Sequence, residues 1–356
     1  MARYEVSEFQ LDGFHGFRLT DSESGAETHV FPQLGDNATT FRTVPRGLDG
    51  PPIDVVLPPE RLSELARVPF SAGVPILFAF PNRVRDGRYE FEGNTYEMHD
   101  LYSKKWDHAA GQAIHGLVDD KPWSVEQAAA NRAGAFVTCS LRAESFSLVA
   151  AQFPFPCRLV VTHRLREGRL HLEAAVHNTG ETDLPLGFGL HPWFPAAILP
   201  GAILPDVVDT IPAQRRAGSE VRMPAAGHWE LVDRMPTGRV LPAEADATKY
   251  DLREFRPLDG RHYDDVFTGV RRDDRGWSEA ALRDPESGLE LFVAAGPEFR
   301  EWVLYAPPDR SVVAIEPYTC TTDAANLAAR GIDSGLIALP PGETWGSEVE
   351  FGLRAF

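Results

Sequence analysis

The chain has 356 residues and a formal net charge of −17, from 35 Lys and Arg against 52 Asp and Glu. That balance argues against non-specific binding to nucleic-acid backbones or anionic membranes, both of which depend on Lys and Arg. Hydrophobic residues make up 43% and charged residues 24%, a globular composition too apolar for general disorder.

Residues 1–12 alternate polar and apolar side chains and lack the apolar core of a signal peptide. At 58–68, Pro58-Pro59-Glu60 leads into RLSELARV, where Leu62, Leu65 and Ala66 share a face, so one short helix is expected. The apolar run at 74–80 is far shorter than the ~20 residues of a membrane helix. From 157 to 177 the period is two: Leu159, Val161, His163 and Leu165 alternate, then, after Glu167-Gly168, Leu170, Leu172, Ala174 and Val176 do the same. That pattern predicts a β-hairpin. Residues 196–257 carry little pattern and are expected as strands with long loops. A second hairpin is predicted at 280–283 and 289–294, with further strands at 302–305, 312–316 and 349–353. With 29 Pro and 30 Gly, few long helices can form. Cys139, Cys157 and Cys320 cannot all pair and match no zinc or disulfide spacing, which fits a reducing, cytoplasmic compartment. The expectation is a single all-β domain over 1–356, antiparallel, with two stacked sheets and long functional loops.

Five segments combine titratable side chains with Gly, Pro and aromatic residues: PNRVRDGRYEFEG (81–93), IHGL (114–117), GFGLHPWF (187–194), HYDDVF (262–267) and VVAIEPYTCTTDAANL (312–327). Singly, each has an ordinary explanation: Glu316 as a strand-end acid in solvent, His191 as a histidine beside aromatic packing, Arg83 as a solvated loop cation, His115 as a turn residue, Asp264-Asp265 as exposed acids at a strand start. Against the solvent reading, a carboxylate closing the apolar run Val312-Val313-Ala314-Ile315 is costly unless paired or useful. His99, His108 and His115 cluster loosely but fit no metal-ligand spacing. No GxSxG, GxGxxG or Walker-type loop is present.

Together and in this order, the segments resemble the aldose 1-epimerase (galactose mutarotase) family. VFPQLGDNATTF (30–41) is similar to the family's opening strands. Asn82-Arg83 with Gly93, His115-Gly116, His191-Pro192-Trp193-Phe194, Asp264 to Phe267, Glu316-Pro317, Asp323-Ala324 with Asn326, and the closing LPPGETW (339–345) follow. The resemblance implies a large antiparallel β-supersandwich (galactose mutarotase-like), with the site in a groove across one sheet. It implies Glu316 as general base and His191 as general acid. Arg83, His115 and Asp264 then hold the sugar's ring oxygen and hydroxyls, with Asn82 supporting Arg83. Trp193, standing where Tyr is commoner, implies a stacking face. The implied partner is a small-molecule sugar, with no nucleic acid, membrane, metal or organic cofactor; no oligomeric state is assigned.

The implied activity is interconversion of α and β anomers of a hexose. Three alternatives stay open: a hexose-6-phosphate 1-epimerase, with phosphate held by Arg85, Arg88 or Lys104-Lys105; a non-catalytic carbohydrate-binding protein on the same fold; and a glycosidase using Glu316 and Asp264. Retention of an acid–base pair argues against pure binding.

Overall fold

The computed structural model describes residues 2–98, 106–107, 110–199 and 211–356. Its frame is antiparallel β-sheet. The first five strands, Tyr4–Leu11, Phe14–Asp21, Ala26–Phe31, Asn37–Thr43 and Ile53–Val56, form one sheet in sequence order. A nine-stranded sheet follows, in the order Ser124–Asn131, Gly134–Arg142, Cys157–Arg166, Arg169–Asn178, Thr344–Ala355, Leu289–Ala295, Ser278–Asp284, Glu220–Arg222 and Arg256–Pro257. The predicted hairpin supplies its third and fourth strands. Leu159, Val161, Leu165, Leu170, Leu172 and Val176 are all buried, as their period requires.

The second nine-strand assembly carries the site. Its path runs Met235–Pro242, Ala225–Val232, Tyr263–Val270, Glu301–Ala306, Val312–Tyr318, Leu184–Leu190 and Ile337–Leu339. Trp193–Pro195 adds to the 312–318 strand and Ile76–Ala79 to the 184–190 strand. One face of this sheet packs on the first nine-stranded sheet through Phe188 on Trp345, Phe194 on Phe351, and a bond from Trp302 Nε1 to Ser278 Oγ at 3.1 Å. Phe267, Trp302, Leu304, Val313 and Ile315 point into that core. The side chains between them point to the other face, where the long loops gather.

Differences from expectation have clear causes. The 58–68 helix is one turn, Leu62–Leu65, burying Leu62 and Leu65. To the two stacked layers the chain adds the five-stranded amino-terminal sheet, joined to the 157–178 hairpin by a buried contact of His163 Nε2 with Asp36 Oδ2 at 3.1 Å. The weakly patterned 196–257 region supplies the helix Ala213–Gly218 and the edge hairpin Ala225–Val232/Met235–Pro242; residues 200–210 lie outside the described residues. The three cysteines are buried and free. Among the described residues, no helix is long and apolar enough to cross a membrane.

Candidate active site

Glu316 does not close its strand against solvent. It lies inside Val312–Tyr318, a strand buried on both faces, and is 1% exposed. Alternation puts Val313 and Ile315 in the core and Glu316 on the opposite face. There it registers with Val303, one pleat from Asp264–Tyr305 on one side and from Glu301–Tyr318 on the other. The same alternation separates the two acids of the HYDDVF segment. Asp264 faces the cavity, while Asp265 turns to the other face and is held by Lys249 at 2.8 Å and Tyr250 at 3.2 Å.

His191 follows the strand Leu184–Leu190 in a two-residue link to Trp193–Pro195. Its backbone N–H donates to the Pro75 carbonyl at 3.0 Å. Its Nε2 is 3.6 Å from Glu316 Oε1. The Trp193 ring stacks on the imidazole, centroids 4.8 Å apart, and its Nε1 donates to the Phe70 carbonyl at 2.7 Å. Trp193 therefore holds the histidine as well as lining the cavity.

His115 reaches the site through backbone geometry. It has φ +62°, Gly116 has φ +75°, and a Cβ on Gly116 would overlap the Phe78 carbonyl. Only glycine fits after this histidine. The turn sets the His115 ring edge-on to His191, centroids 5.0 Å apart.

Arg83 sits on the short strand Arg83–Val84, paired with Gln112–Ile114, and is nearly buried. It donates to Asp107 at 3.0 Å and to Asn82 Oδ1 at 3.1 Å, and lies 3.8 Å from Asp264. The downstream Asp323 and Asn326 pin this segment. Asp323 N–H donates to the Arg83 carbonyl at 2.9 Å, Asp323 Oδ1 accepts from Arg85 N–H at 3.0 Å, and Asn326 Oδ1 accepts from Glu90 N–H at 3.1 Å.

All seven residues singled out from the sequence, Asn82, Arg83, His115, His191, Trp193, Asp264 and Glu316, line one cavity of about 490 Å³. That volume lies within the range of small-molecule sites. Another lining residue comes from a stretch with no readable signal. Arg234 stands in the turn of the edge hairpin at φ +65° and reaches Asp107 at 3.3 Å and Asp264 at 3.6 Å. Tyr318 donates a hydrogen bond to Glu316 Oε2. Of the basic residues considered for a phosphate, Arg85 turns to Asp323 at 3.6 Å, Arg88 is exposed at the start of a separate two-stranded hairpin, and Lys104-Lys105 lie outside the described residues. So do His99 and His108; among the described residues no three potential metal ligands cluster.

Burial sets the electrostatics. It pushes the Glu316 carboxyl well above the usual range, opposed by the Tyr318 bond and, more weakly, by Arg83. It pulls the His191 imidazole down to about 3, with Arg83 adding to the fall. Both groups therefore favour their neutral forms, whereas sequence reasoning paired a carboxylate with an imidazolium. The proton count is the same: one proton, held by the pair. At Asp107, burial is the largest single influence and pushes up, but the Arg83 bond and charge, the Ala110 N–H and Arg234 together outweigh it, and the carboxyl falls below its ordinary value.

The chain matches the model of the aldose 1-epimerase family over residues 51–352. Its fold is similar to that of a galactose mutarotase-like protein from Clostridium acetobutylicum, with TM-score 0.83, 18% identity and 99% of each chain covered. It is similar to a galactose 1-epimerase from Lactobacillus acidophilus at TM-score 0.71 and 13% identity, covering 100% and 99% of the two chains. A GalM/aldose epimerase homologue from Caenorhabditis elegans matches at TM-score 0.71 and 17% identity, covering 99% of each. At such identities the structural likeness carries the fold alone. The Escherichia coli K12 protein YihR, described as uncharacterised, is 27% identical over 119 residues, 33% of this chain and 34% of its own length.

Proposed function

The chain belongs to the aldose 1-epimerase family, and from that premise we propose that it interconverts the α and β anomers of a hexose by acid–base ring opening and reclosure. The observation that carries the proposal is the buried Glu316–His191 pair, 3.6 Å apart, in a cavity also lined by Arg83, His115 and Asp264.

The pair carries one proton and needs one to start the cycle. With Glu316 as carboxylate and His191 as imidazolium, Glu316 takes the proton of the C1 hydroxyl. The C1–O5 bond breaks, its electron pair goes to O5, and His191 gives O5 its proton. This leaves an open-chain aldehyde facing a neutral acid and a neutral imidazole, the arrangement burial favours. Rotation about C1–C2 presents the other face of the aldehyde. O5 then attacks C1, returning its proton to His191 while Glu316 protonates O1. The protein ends as it began. Proton transfer by positioned groups contributes about 10²–10⁴-fold. Arg83 and His115 supply donors to oxygens that gain charge on the way, and Asp264 accepts from hydroxyls.

NMR or polarimetry of anomer exchange over a panel of free and phosphorylated aldoses tests this reading. The unaltered protein is expected to accelerate exchange of at least one. Glu316→Gln is expected to lose at least ~10²-fold while still binding sugar. His191→Asn is expected to slow both directions equally, since a catalyst leaves the equilibrium unchanged. Sugar binding without acceleration of any aldose would instead mark a carbohydrate-binding protein.

A further inference from the structure

Tyr318 lies two residues after Glu316 on the same strand and therefore on the same face. It is fully buried, and its phenol O–H donates to Glu316 Oε2, leaving Oε1 toward His191. Among the described residues, this is the one side-chain hydrogen bond that Glu316 receives. The strand-to-strand contact is built for the ring: Tyr318 registers with Gly189, where a Cβ would overlap the phenol's own carbons. Nothing in the proposed proton-transfer cycle requires this group.

We propose that Tyr318 is the positioning residue of the base, fixing which Glu316 oxygen faces the sugar and supplying the hydrogen bond that a buried carboxylate needs. The inference rests on the function proposed above. Burial, reinforced by Glu316, holds the phenol well above its usual range, so it remains a donor. The other groups facing the pair are Arg83, which favours the carboxylate, and Asp264, which opposes it. His191 lies at Oε1, with His115 edge-on behind it. Glu301 stands opposite Tyr318 on the neighbouring strand. Burial pushes Glu301 up to about 8, with bonds from Thr268 and Trp229 pulling the other way.

The consequence has a definite sign. Between proton uptake by His191 at low pH and ionisation of Glu316 at high pH, the pair holds one proton in two arrangements. The neutral one dominates; the carboxylate–imidazolium one starts the cycle. Weakening the carboxylate by some factor lowers the competent fraction by that factor. It also raises the basic limb of the kcat/KM profile by the logarithm of the same factor, and leaves the acidic limb in place.

Tyr318→Phe keeps the ring and removes the O–H. The loss of a hydrogen bond to a charged group is expected to lower the kcat/KM plateau about ten- to a hundredfold and to move the basic limb up by a matching one to two pH units, about. Sugar affinity, read by calorimetry, is expected to stay unchanged. A lowered plateau with an unmoved basic limb would make Tyr318 merely structural and overturn the proposal, as would an unchanged or raised plateau. Fluorotyrosine incorporated at position 318 keeps the shape and makes a stronger donor. It is expected to move plateau and limb in the opposite directions, and decides the matter if the Phe variant does not fold; unmoved values there also overturn the proposal. A fully active Tyr318→Phe beside an inactive Glu316→Gln sinks this inference alone, whereas an inactive unaltered protein sinks the function reading.

Discussion

Arg83 holds together the polar wall opposite the acid–base pair. It donates to Asp107 and Asn82 and approaches Asp264, which Arg234 reaches from the other side. Two cations and two carboxylates thus alternate, and none is left buried without an opposite charge. Arg83→Ala is expected to weaken sugar binding as well as slow exchange. Hydrogen bonds to charged groups contribute about 1.5–3 kcal/mol, roughly ten- to a hundredfold in Kd, measurable by calorimetry. Asp264→Asn is expected to do less, because the amide oxygen still accepts a bond; a larger loss for Asp264→Asn than for Arg83→Ala would contradict this assignment. The sequence pointed to Arg83 and Asp264 through ordered motifs. It did not point to Asp107 or Arg234, because their charge partners lie 24 and 127 residues away in the chain. The donor role of Tyr318, inside a segment the sequence did single out, follows from strand alternation, which puts it on the same face as Glu316.

At the scale of the element, the strand Val312–Tyr318 does two jobs by alternation. Val313 and Ile315 anchor it in the core, and on the opposite face Glu316 enters the cavity while Tyr318 hydrogen-bonds it from behind. Its neighbour Leu184–Leu190 contributes Gly189, whose bare backbone accepts the Tyr318 ring. Gly189→Ala adds one methyl where no room exists. Overpacking of this kind costs about 1–3 kcal/mol, and a ring displaced from Gly189 shifts the phenol away from Glu316. The variant is expected to fold, with a lowered Tm by calorimetry, and to exchange anomers more slowly with sugar affinity retained. A variant with unchanged rate would show that the ring has other room. The site strand read in the sequence as a simple apolar run, because a strand covered on both faces loses its polar alternation. The edge hairpin carrying Arg234 falls in the 196–257 region, read only as strands with long loops, because its strands mix exposed with buried residues and keep no clear period.

At the scale of the whole molecule, three sheets share one core, and the amino-terminal sheet is tied in by polar as well as apolar contacts. Asp36 and His163 meet with no solvent exposure on either side chain. Removing one partner of a buried pair leaves the other unsatisfied, at about 3–5 kcal/mol when the pair is charged. Asp36→Ala is therefore expected to lower Tm strongly while leaving the anomer-exchange rate of the folded fraction near normal, since the pair stands outside the cavity. A Tm equal to that of the unaltered chain would show that the contact carries no stability.

The sequence by itself determined the all-β class, the hairpins read at 157–177 and at 280–283 with 289–294, and the order of the chemical segments. Period-two burial and turn residues are local, and local patterns are written in consecutive side chains. The seven candidate residues were also legible, but only as an ordered set resembling a family. Tertiary structure alone decided that they share one cavity, that Asp264 rather than Asp265 enters it, and that Trp193 braces His191. It alone shows burial driving Glu316 and His191 toward their neutral forms. Those outcomes depend on which face a strand buries and on how much water remains around a group. Both are set by packing between segments far apart in the chain, and no window of sequence contains them.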